Sequence, residues 1–400
     1  MKETIVFANG NIITPFRSVV ADLAVINGCV KELRPSGTRH NFEKYIDCTG
    51  LYVGPGLVDI HVHGGNGHDF TSDDPAAITA GAEYHLRHGT TSLTPSCLSI
   101  PFAQVDRAIT ATREASKYCK ANILGYHIEG VYLDMDYRGG HLARYVHPPD
   151  PFEYRPLLEK HCRFITEWTL APELPGAIDL IHSCLRVGVV TSAGHTRASY
   201  DQFLLAVEAG LSHTTHFGCC MGNMRFEMLR PELTTGKGFA PGVMEAVLLH
   251  DEVTTELICD GFHLHPGFIQ LAVKCKGSSR VCLVSDAVFG VGMPEGEIVV
   301  GDQLTLIKNG IAVIRDRPEI IASSVTPLSG MLRFAHQQAG LPLTTAWEMA
   351  SATPAKVIGY ADRKGILAPG KDADILLLDR ELNVRGVYVA GQPQYVAEAF

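Results

Sequence analysis

The sequence predicts an α/β fold: a TIM-like (β/α)8 barrel that carries a small β-sandwich built from both termini. Three observations predict it. Apolar, strand-like runs alternate with helical segments eight times through the middle of the chain. Both ends instead show short strands broken by turn signals. Almost every central strand ends in a potential metal ligand or acid, at the rim where such barrels place their active sites.

Composition is consistent with a large interior. Four hundred residues exceed one ordinary core, so a large domain plus a smaller one is expected. Hydrophobic residues make up 46% and charged ones 19%, which suits strands buried on both faces. A net charge of −9 argues against nucleic acid or an anionic membrane as a general partner. Eleven cysteines, with no C-x-x-C, read as reduced core residues of a cytoplasmic protein. No signal peptide or membrane span is expected, because no apolar run reaches 18 residues.

Residues 1–52 contain "TIVFANGNIIT" and "LAVINGCVKEL", each with an N-G turn signal. The barrel is expected over 53–363. Its strand candidates are 57–63, 91–96, 123–130, 164–173, 189–195, 213–217, 256–263 and 281–287. Helical patterns such as "DPAAITAGAEYHLRHG" and "RASYDQFLLAVEAG" lie between them. Residues 364–400 return to strand and turn patterning, so 1–52 and 364–400 are expected to form one small β unit.

The first barrel strand shows how chemistry enters the pattern. In "GLVDIHVHGG" (56–65), period-2 alternation puts Asp59, His61 and His63 on one face and Val58, Ile60 and Val62 on the other. The apolar face can pack under helices while the polar face presents imidazoles where the strand ends. A lone histidine there would read as a core residue; the H-x-H pair before Gly-Gly points to a cation. Other strand ends supply Glu129, His195, His216, His263 and Asp286. By contrast, His88, His161 and His182 fall in helical segments and His213 in a short strand, and all four read as structural.

With these motifs in place, the chain resembles the amidohydrolase superfamily and, within it, the N-acetylglucosamine-6-phosphate deacetylase family. The resemblance rests on the H-x-H, "GYHIEGVYLD" (125–134), "GGH" (139–141), "TLAPE" (169–173), "AGHT" (193–196) and "TTHF" (214–217). It continues through "CDGFH" (259–263), "LVSDA" (283–287) and the closing "KGILAPGKDADILLLD" (364–379). It implies a mono- or binuclear metal site. Glu129 would be the central carboxylate, completed by His195 and His216. His61 and His63 would hold a second ion with Glu129 and Asp286. Asp286 would act as general base and acid, His263 would hydrogen-bond the substrate carbonyl, and His141 would contact the sugar. A homodimer is implied as well. Such an N/O ligand set suits zinc first and iron second, as one or two divalent ions per chain. A cation held this way keeps positive charge and an open position, which suits hydrolysis of an amide.

The substrate half of the motif set departs from the family. Relatives carry Asn-Ala-Met after the strand-six histidine and then Arg-Glu-Pro-Gly. Here Cys219 and Cys220 occupy the Asn and Ala positions, which face substrate in the family. Phe239 and Ala240 replace Arg and Glu before Pro241 and Gly242, and Leu142 follows His141 in place of Asn. The two cysteines read as small core or loop residues ahead of extra soft ligands. Arg225, Arg230 or Lys237 in the longer loop would supply a phosphate contact; otherwise the substrate carries no phosphate. The expected activity is hydrolysis of a small-molecule N-acyl amide, with N-acetylglucosamine-6-phosphate first and its galactosamine epimer next. An unphosphorylated N-acyl compound or cyclic amide is the alternative substrate. A non-catalytic metal-binding regulatory protein is the alternative class, and Asp286 and His263 argue against it.

Overall fold

The computed structural model describes residues 4–38, 44–228, 236–301 and 303–398. The eight barrel strands are Leu57–Val62, Thr90–Cys97, Tyr126–Glu129, Ile165–Leu170, Val190–Ala193, His213–Thr214, Thr255–Leu257 and Val281–Leu283. Each falls within or against its predicted segment. Parallel ladders join the first six in order and the last two to each other. A few backbone bonds close each of the remaining seams. Thr214 N–H donates to Thr254 O at 3.0 Å, and Asp286 N–H donates to His61 O at 2.9 Å.

The first strand is buried along its whole length, as its alternation requires. Its outward Val58, Ile60 and Val62 belong to the main apolar core. The following helix, Pro75–Arg87, starts where Asp74 caps Ala76 N–H at 2.9 Å and proline takes the first turn. Helix Tyr200–Glu208 begins with a Ser199–Gln202 capping box. Local signals of this kind start the helices, and burial of their apolar faces on the strands holds them.

Both chain ends join one sheet of eight strands, five from Thr4–Ile13 to Tyr52–Pro55 and three from Ile375–Leu378 to Gln392–Val396. It is a single hydrogen-bonded sheet that forks. A register shift between Phe7 and Gly10 lets the first half of strand Thr4–Ile13 pair with Lys44–Asp47 and the second half with Tyr52–Pro55. Ile5, Phe7, Leu23, Val53, Ile375 and Leu377 form its separate core. It docks on the barrel at Gly54, where an added Cβ would lie 2.3 Å from the Trp347 ring. The Trp347 indole donates to Pro55 O at 2.8 Å beside it.

One element was not anticipated. After the eighth strand comes an antiparallel sheet of Gly296–Val300, Gln303–Lys308, Ile311–Ile314 and Arg317–Ser324. Val288, Ile298, Ile307 and Ala312 give it a small core of its own. It is tied to the barrel mouth by Ser324 N–H donating to Asp286 O at 3.2 Å and Val288 N–H to Ser324 O at 3.1 Å.

Candidate metal centre and its cavity

The strand ends converge. Glu129 Oε1 lies 2.9 Å from His216 Nε2, 3.2 Å from His195 Nε2 and 3.3 Å from His61 Nε2. Its Oε2 lies 3.3 Å from His63 Nε2. Asp286 Oδ1 is 3.1 Å from His63 Nε2 and 3.5 Å from His61 Nε2. All six residues expected to hold metal therefore meet at one point, and all are buried. Three of them, His195 (φ 49°), His216 (φ 25°) and Asp286 (φ 45°), have left-handed backbones that non-glycine residues rarely adopt. Each costs on the order of 1–3 kcal/mol, and such strain clusters where side chains must be aimed for function.

The placement of protons shows that this cluster fits a cation. His61 Nδ1 is 2.9 Å from Glu256 Oε2, and His195 Nδ1 is 2.9 Å from Tyr137 O. Those acceptors fix an N–H on both Nδ1 atoms, so each ring turns its Nε2 toward the centre. Yet His61 Nε2 lies 3.2 Å from His63 Nε2, and His195 Nε2 lies 3.1 Å from His216 Nε2, with carboxylate oxygens around them. Ring nitrogens this close together, surrounded by carboxylate oxygens, need positive charge among them, which a proton on Nε2 or a bound cation supplies. Imidazoles fixed by outer carboxylate and carbonyl acceptors are how proteins present nitrogen to a divalent ion. Burial opposes ionisation of Glu129 and Asp286, but the surrounding imidazoles outweigh it and hold both carboxyls below their ordinary range.

His141 plays a different part. Its Nδ1 accepts from Ser99 N–H at 3.1 Å, so the neutral ring carries its proton on Nε2, 3.4 Å from Glu129 Oε2. Although Glu129, His141 and His195 lie close enough to share an ion, that proton makes His141 a donor. Burial, followed by the neighbouring His195 charge, pushes its pKa down to about 4, keeping it neutral. His263 is held through Nδ1 by Asp260 Oδ2 at 2.7 Å, and Asp260 Oδ1 also accepts the His263 backbone N–H at 2.9 Å.

Above the centre lies a cavity of about 320 Å³ that His141, His263, Cys219 and Cys220 help to line. Its roof is the unanticipated sheet, which contributes Gln303, Thr305, Glu319 and Ser323. Among the described residues, no arginine or lysine lines it. Arg225 does not reach it; its guanidinium donates instead to Arg197 O. Arg230 lies outside the described residues. Arg225 sits on the hairpin Arg225–Met228/Lys237–Ala240, where Phe226 and Phe239 pair across the strands with ring centroids 5.2 Å apart. Phe239 is 69% exposed and points to solvent.

Several contributors escaped the sequence reading. Glu256, Ser99 and the roof residues carry no motif. Glu256 could have been flagged as a carboxylate at an inward position of a buried strand. His213, read as structural, is packed in the barrel interior with Nδ1 2.6 Å from Thr254 Oγ1.

Comparison with known proteins agrees with this architecture. The Amidohydrolase family model matches residues 52–393. The chain belongs to the amidohydrolase family. Among curated relatives, the N-acetylglucosamine-6-phosphate deacetylase of Vibrio furnissii is 31% identical over 341 residues, covering 84% of this chain and 82% of that one. The Haemophilus influenzae enzyme of the same name is 30% identical over 382 residues, covering 94% and 95%. Among solved structures, the N-acetylglucosamine-6-phosphate deacetylase of Pasteurella multocida superposes with a TM-score of 0.88 at 28% identity, covering 98% of this chain and 99% of that one. A mutant of the Mycobacterium smegmatis deacetylase, in complex with N-acetyl-D-glucosamine-6-phosphate, gives 0.88 at 27%, covering 99% and 100%.

Proposed function

We propose that this chain is a metal-dependent deacetylase of an N-acetylated amino sugar. One observation carries the reading: five strand-end residues and His63 converge on a cation-ready point beneath a cavity of sugar size. When bound, one or two divalent ions, zinc first and iron second, supply Lewis acidity toward an amide carbonyl and toward water. The protein supplies the rest. Asp286, ionised at neutral pH, takes the proton of the attacking water and returns it to the departing amine. His263, its Nδ1–H held by the Asp260 carboxylate, would donate Nε2–H to the carbonyl oxygen from the doubly protonated ring as negative charge develops there. His141 Nε2–H and the roof's Gln303 and Thr305 are donors suited to sugar hydroxyls.

N-acetylglucosamine-6-phosphate, named for the relatives, is the first compound to test and N-acetylgalactosamine-6-phosphate the second. The cavity lining favours a further reading, in which the amino sugar carries no phosphate. A phosphate dianion generally needs guanidinium or ammonium partners, and the described lining offers a Glu319 carboxylate instead. Acetate release from both sugars, each with and without 6-phosphate, tests both readings. A preference of about a hundredfold for the phosphorylated form, about 2.7 kcal/mol, would discard the unphosphorylated reading. No acetate from any of the four would discard the deacetylase. Eleven cysteines without a disulfide support a reducing compartment such as the cytoplasm, and none of the described helices is long and apolar enough to cross a membrane. A homodimer is the assembly the family implies.

A further inference from the structure

Barrel interiors of this class are ordinarily filled with branched apolar side chains. Directly beneath this centre the layer is polar. His127 Nε2 lies 2.8 Å from Thr169 Oγ1 and its Nδ1 3.0 Å from Ser96 Oγ. Glu167, His213 and Glu256 converge beside it, all fully buried. Glu256 alone of that trio reaches upward to the proposed ligands. Its Oε2 accepts His61 Nδ1–H at 2.9 Å and the backbone N–H of His216 at 3.0 Å.

Those two bonds belong to opposite halves of the ligand set. One aims the His61 lone pair; the other pins the backbone of His216 at its left-handed φ of 25°. A single oxygen thus fixes a side chain from the first strand and a main chain leaving the sixth. We propose that Glu256 is the positioning residue that registers the H-x-H half of the metal centre against the His195–His216 half. The proposal rests on the metal-site reading and concerns the geometry of the acceptor, not its charge.

Zinc affinity, measured by competition with a chromophoric chelator on refilled wild-type and variant proteins, tests it without recourse to activity. Glu256→Ala removes both bonds and should weaken zinc binding by about 10–100-fold. Glu256→Gln keeps an oxygen able to accept both, and its amide would face His213 Nε2, which has no hydrogen-bond partner among the described residues. It should bind zinc within about threefold of wild type. Glu256→Asp keeps the charge but is one methylene shorter, so it should bind as weakly as Glu256→Ala; it decides the matter if the alanine variant does not fold. Glu167→Gln, one step further from the centre, should leave affinity unchanged. Wild-type affinity in Glu256→Ala or Glu256→Asp would overturn the proposal. So would equal losses in Glu256→Gln and Glu256→Ala, or a loss in Glu167→Gln as large as either. A wild-type chain that takes up no zinc or iron would overturn the underlying metal-site reading, a result distinct from all of these.

Discussion

The floor and the roof of the cavity are built on different principles. On the floor, His61 and His195 are each held through both ring nitrogens. His61 is fixed by strand alternation, by Glu256 and by contact with His63, Glu129 and Asp286. The roof hangs on a few backbone bonds from residues 286 to 324, and the neighbouring hairpin leaves Phe226 and Phe239 open to solvent. Chemistry that needs atoms placed within a few tenths of an ångström requires an over-determined floor. Recognition of one sugar or another tolerates a less tightly held roof. The motif set divides along the same line, intact on the floor and altered near the roof.

Four experiments sharpen or break that contrast, in descending order of effect. Asp286→Asn keeps the shape but cannot accept a proton, so kcat should fall at least about a hundredfold, and up to ~10,000-fold. The Glu129–His195–His216 side should still bind zinc in that variant. Near-normal turnover would place the general base elsewhere. His61→Ala should remove one ion under metal-replete conditions and leave the other, read by elemental analysis as a drop from two per chain to one. One ion per chain in the wild-type protein would refute a binuclear centre. Roof substitutions should act on binding more than on rate. Gln303→Ala or Thr305→Ala each removes a neutral hydrogen bond of about 1 kcal/mol, raising KM severalfold with kcat little changed. A kcat collapse in either would mean that the roof takes part in the chemistry. The smallest effect is expected at Arg225, whose guanidinium is committed to Arg197 O. Arg225→Ala should change the ratio of kcat/KM with and without 6-phosphate by less than about twofold, and a large change would restore Arg225 as the phosphate contact.

How much of this was legible from residues alone follows from the range of each force. Period-2 alternation in "LVDIHVH" and the apolar runs around it are local, so all eight barrel strands and the inward-facing imidazoles could be read directly. The order of polar strand ends could be read too, because in a barrel every such end reaches the same rim. The roof was missed because four short strands joined by tight turns, among them Asn309-Gly310 at φ 53° and 81°, carry little periodic signal. Its function depends on where residues 286–324 fold back over the mouth. The placement of Arg225 was not legible for a related reason: charge type and chain position left it as one of three phosphate-contact candidates, and a hairpin register turns it toward Arg197.

The sequence by itself determined the barrel, the two-ended β unit and the chemical identity of the groups at the strand ends, because those depend on spacing and residue type over a few neighbours. Only the tertiary structure decided which nitrogen of each imidazole faces inward. That choice is made by partners far away in the chain, such as Glu256, 195 residues from His61. The left-handed backbones of His195, His216 and Asp286 belong to the same category. No local preference favours them, and they persist only because the closed barrel and its buried hydrogen bonds leave those side chains no other direction to point.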